Sequence, residues 1–84
     1  MDPSSESMAF LEVTDDLLQL GVSLREISQA LGCSYASVRQ ARLPEDHPGH
    51  RSPPPGWRLH LATWLRARAG ELEALAAELE KGRP

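Results

Sequence analysis

Val22-Ser23-Leu24-Arg25-Glu26-Ile27-Ser28-Gln29-Ala30-Leu31-Gly32-Cys33-Ser34-Tyr35-Ala36-Ser37-Val38-Arg39-Gln40-Ala41-Arg42-Leu43-Pro44 is the stretch that decides the fold. Ser23 and Glu26 stand three apart, the spacing of a capping box. In that motif the serine hydroxyl accepts from the Glu26 amide, and the glutamate reaches back to the Ser23 amide. Val22 before the cap and Ile27 at the fourth helical position supply the matching hydrophobic staple. A helix therefore starts at Leu24 and runs to about Leu31, where Gly32 offers the left-handed residue that stops it. Ser34 caps the next helix, Tyr35 to about Leu43, and Pro44 ends it. Ile27 and Leu31 on one helix face Val38 and Ala41 on the other, and Ser28 is small where the two cross. Two short helices about a glycine turn, with apolar inner faces, read as a helix-turn-helix.

Upstream, Met8, Phe10, Leu11, Val13, Leu17, Leu18 and Leu20 recur at helical spacing, and Gly21 closes that helix. Residues 1–7 read as a disordered N-terminus, and 8–43 as the helical unit. Residues 44–56 hold five prolines and two glycines and read as a semi-rigid extended linker. Residues 57–81 contain no proline and read as one long amphipathic helix. The fold class is all-α: a three-helix core built on the helix-turn-helix, a proline-rich linker and a long C-terminal helix.

Charge is segregated along the chain. Residues 1–19 carry five acids and no base, residues 20–69 carry seven arginines against three acids, and residues 70–84 carry four acids against two bases. The net −3 thus hides a middle of +4 whose cations are all arginine, the side chain suited to bidentate phosphate and guanine contacts. The helix Tyr35–Leu43 leaves Ser34, Tyr35, Ala36, Arg39 and Gln40 on its outer side, where a recognition helix meets base edges. Arg39 suits guanine, Gln40 adenine, and the Ala36 methyl a thymine methyl. Ser23, Arg25, Ser37, Arg42 and Arg51 are the expected phosphate contacts.

The segment Leu20 to Arg39 resembles the lambda-repressor/Cro-like (Xre) helix-turn-helix family, and Arg51-Ser52-Pro53-Pro54 looks like the loop that often follows the recognition helix there. The resemblance covers about half the chain. It implies a cytoplasmic bacterial or phage repressor that acts as a dimer, with Tyr35, Ala36, Arg39 and Gln40 on double-stranded DNA.

On the last helix Leu61, Leu65, Arg68, Leu72, Leu75 and Leu79 are spaced 4, 3, 4, 3 and 4 residues apart, a heptad stripe with one polar member. Trp57 and Trp64 fall on the same face. The expectation is that Trp57, Leu61 and Trp64 complete the chain's own core while the stripe from Leu61 to Leu79 meets a second copy, with Arg68 stacked on Trp64 or paired with Glu71. A protein partner on this helix is the other reading. That would make the chain an assembly module, such as a small phage DNA-packaging subunit or an antitoxin-like protein.

Other chemistries find little footing. His47 and His50, with Cys33 and Asp46, lack the paired cysteines or helical histidines of zinc sites, so no metal is expected. Neither a phosphate-cradling loop nor a catalytic constellation is visible, so neither an enzyme nor a cofactor is expected. The single cysteine fits a reducing, intracellular compartment. The acidic start does not read as a signal peptide, and no run has the length of a membrane span.

Overall fold

The computed structural model describes residues 3–82, which form four helices: α1 (Pro3–Gln19), α2 (Leu24–Leu31), α3 (Tyr35–Ala41) and α4 (Trp57–Glu80). Among the described residues there is no strand, and no helix is long and apolar enough to cross a membrane.

α1 begins at Pro3, not at Met8. Residues 3–7 are therefore helical rather than disordered; Met1 and Asp2 of that expected tail lie outside the described residues. Partners far along the chain account for the earlier start. Glu6 accepts from the Trp57 indole N–H at 3.0 Å and from Arg58 at 3.1 Å. Ser7 is buried, 3.3 Å from the His50 ring. The inward face of α1 is Ser7, Phe10, Thr14 and Leu17, spaced to lie on one side of a helix. Fully buried Thr14 satisfies its hydroxyl on the carbonyls of Phe10 and Leu11.

α2 has the expected bounds and both halves of its capping box. The Glu26 amide donates to the Ser23 hydroxyl at 3.1 Å, and the Ser23 amide donates to Glu26 Oε1, also at 3.1 Å. Gly32 stops α2 at φ 67°; there an L side chain would be strained. The turn to α3 is Gly32, Cys33 and Ser34, with the Cys33 amide donating back to the Ser28 carbonyl at 3.1 Å. α3 ends at Ala41, two residues short of its expected limit.

The core gathers Phe10 and Leu17 from α1, Ile27 and Leu31 from α2, Val38 and Ala41 from α3, and Trp57 and Leu61 from α4. Phe10 and Trp57 meet edge to face, with ring centroids 5.0 Å apart, the arrangement ring quadrupoles prefer. α2 is the central element, packed against the other three. Trp64, expected in the core, is only half-buried.

Residues 44–56 are not an extended linker but a strap of turns tied to the body. The His47 and His50 amides donate to Pro44 and His47 carbonyls, and the Arg51 amide donates to the Gln40 carbonyl at the end of α3. The His50 ring lies 2.9 Å from the Leu43 carbonyl, and its other nitrogen faces Ser7. The strap delivers Trp57 under Phe10. Beyond Leu65 every described residue of α4 is exposed, although Arg68 still reaches Glu26 of α2.

Candidate nucleic-acid interface

The buried Val38 and Ala41 fix which side of α3 points outward. On that side Ser34, Tyr35, Ala36 and Arg39 are exposed and Gln40 is half-buried. Two guanidiniums lie over the Tyr35 ring, Arg25 at 5.3 Å and Arg39 at 5.9 Å from its centroid; both are within cation–π range. Two arginines from successive helices thus share one aromatic platform. Ala36, Arg39, Gln40 and Leu43 line a shallow depression of about 260 Å³ beside it.

Not every expected contact residue is free for a ligand. Arg42 was assigned to phosphate, but it turns inward instead. It is 2.7 Å from Asp15 and bonds the buried Thr14 hydroxyl, and its side chain is only 20% exposed. This corrects the sequence reading: the guanidinium locks α3 to α1. The three serines are engaged at helix starts, Ser23 and Ser34 as N-caps and Ser37 as the partner of Ser34. The Ser34 hydroxyl accepts the Ser37 amide at 3.0 Å and lies 2.8 Å from the Ser37 hydroxyl, while Ser23 is bonded to Glu26. Ser23 and Ser34 therefore set the starts of α2 and α3, just before Arg25 and Tyr35. Arg51 is exposed, held beside the end of α3 through its amide.

Two glutamates sit in cation-rich surroundings. For Glu26, the Ser23 amide and then the Ser23 hydroxyl hold the carboxyl below its ordinary value, helped by Arg68. For Glu6, hydrogen bonds from Arg58 and then Trp57 act in the same direction. Cys33, packed against the core, has its thiol pushed up by burial.

The stripe on α4 also divides. Leu61 is 3% exposed in the chain's own core, so its assignment to a pairing surface is corrected. Leu65 is half-buried against that core. Leu72, Leu75 and Leu79 are exposed at 57%, 44% and 60%; too little of each is buried for its own chain to account for the stripe. Arg68 pairs with Glu26 at 3.7 Å, rather than with Trp64 or Glu71 as expected. The cation–π contact of this helix is instead Arg58 over Trp57, at 4.8 Å.

Sequence reasoning missed the ties of Glu6 to Trp57 and Arg58, of Ser7 to His50, and of Arg42 to Asp15. Each joins residues far apart in the chain and carries no local signal. Family models, curated proteins and solved structures yield no match to this chain.

Proposed function

We propose that this chain is a sequence-specific DNA-binding protein of the helix-turn-helix kind, acting on transcription as a homodimer. In this reading α2 and α3 are the two helices of the motif, and α3 enters the major groove. The observation that carries it is the exposed Arg25–Tyr35–Arg39 cluster on the outer side of α3, next to Ala36 and Gln40. Arg39 and Gln40 read base edges and the Ala36 methyl packs on thymine. Arg25 and Arg51 meet phosphates, which carry affinity without sequence information. Repression is the mode of control we assign.

Selection of bound sequences from random duplexes tests this reading. A shared motif should emerge, and Arg39→Ala should cost about 1–3 kcal/mol on it while relaxing one base position. Random recovery, or a motif indifferent to Arg39, would overturn it.

A second reading is favoured by the bare leucines of α4. A chain that uses this helix to build a large ring would be an assembly or DNA-packaging module. Mass separates the two, because the regulator is a dimer of twice 9.2 kDa.

A further inference from the structure

Along α4, residues 57–68 carry Arg58, Arg66 and Arg68 and no acid, a charge of +3. Residues 69–81 carry Glu71, Glu73, Glu78 and Glu80 with Lys81, a charge of −3. The halves are equal and opposite. Two such helices laid parallel place like charge on like over their whole length; laid antiparallel, they place each half on its complement, and their macrodipoles also oppose.

The apolar pattern shows the same polarity. α2 runs antiparallel to α4, since Glu26 in its first turn meets Arg68 while Gln29 and Ala30, further along α2, share a groove with residues 59–67. Between the two helices runs an open groove of about 410 Å³, lined by Gln29 and Ala30 from α2 and by Leu59, His60, Thr63, Trp64 and Ala67 from α4. The bare leucines 72, 75 and 79 are spaced by three and then four residues. Read backward along the helix, Ala67, Trp64 and His60 are spaced by three and then four as well. One antiparallel register therefore sets Leu72 on Ala67, Leu75 on Trp64 and Leu79 on His60, and it also sets Arg68 opposite Glu71. On the helix surface His60 and Trp64 belong to the row that continues to Arg68 and Leu72. Ala67 belongs to the neighbouring row through Glu71, Leu75 and Leu79. The helices thus pack row into groove at an incline.

We propose that the occupant of this groove is the distal half of α4 from a second copy of this chain, so that the two α4 helices pair antiparallel about a two-fold axis near residues 69–70. This deepens the homodimer named above, resting on that pairing but not on DNA binding.

The test is sedimentation equilibrium together with disulfide trapping in a Cys33→Ala background, so that no native thiol competes. Ala67→Cys and Leu72→Cys are made as separate chains. Both positions are exposed, and neither is part of the Tyr35 cluster. The wild type should sediment as a dimer. Under mild oxidation the mixed chains should give a cross-linked heterodimer, while each alone links far more slowly, its two thiols being offset by five residues. Self-linking of Leu72→Cys alone at the rate of the mixture would mean parallel pairing and overturn the proposal. So would a dimer that links in neither sample, or a wild type monomeric at every concentration. All these outcomes leave DNA binding to be decided separately.

Discussion

Tyr35 draws Arg25 and Arg39 onto its ring, an arrangement that holds two flexible cations near one place. Arg42, three residues after Arg39, faces the opposite way because Asp15 and Thr14 hold it. The α3 arginines therefore divide into one left exposed on the outer side and one tied into the fold. Arg42→Ala should lower stability by about 1 kcal/mol, since it opens a partly shielded ion pair and removes a hydrogen bond, and should leave the salt dependence of DNA binding unchanged. Arg25→Ala should do the reverse, weakening all duplexes alike with little change in stability. Urea unfolding and binding titrations on both variants check the split. The sequence alone does not separate these arginines, because the residues that decide between them lie 27 and 28 positions away on α1.

Elements whose ends are written in adjacent residues were the legible ones. Ser23, Glu26 and Gly32 bracket α2 by local hydrogen bonding and backbone geometry, and its observed bounds match. The start of α1 was not legible, because its first turn is held by Trp57 and Arg58, more than 50 residues on. The proline-rich strap likewise reads as extended, since the contacts of His50 with Leu43 and Ser7 carry no local sequence signal. On α3 the inward places of Val38 and Ala41 are legible in the sequence, and both are buried, but the sequence does not separate the capping duties of Ser23 and Ser34 from ligand contacts. Ser23→Ala should cost about 1 kcal/mol, the usual worth of an N-cap side chain. The depressed carboxyls of Glu26 and Glu6 add an acid dependence. Their contribution is complete above the ordinary glutamate value of 4.5 and is lost as pH falls through the lower folded values. Glu26→Gln, which keeps the cap, should show a smaller loss of stability between pH 6 and pH 3 than the wild type in urea titrations.

At the scale of the whole molecule, a small helical body carries a long helix whose outer half makes no contact with the core. The principal extents of 53 × 22 × 20 Å describe that projection. Antiparallel pairing about residues 69–70 would separate the two Trp57 positions by roughly 35 Å, counting 1.5 Å per helical residue on inclined axes. A two-fold pair that reads DNA must set its two α3 helices about one turn of DNA apart to meet successive major grooves. Footprinting should accordingly show an inverted repeat with half-site centres about 10 base pairs apart, and deleting residues 70–84 should give a monomer that binds the same site more weakly. The role proposed for the Tyr35 face of α3 is recognition of a DNA sequence. Titrating the wild-type chain against its selected duplex and a scrambled one, at low and physiological salt, tests this most directly. A preference of at least about a thousand-fold for the selected duplex is expected at physiological salt, with both affinities falling as salt rises. Equal affinity for the two duplexes would contradict it.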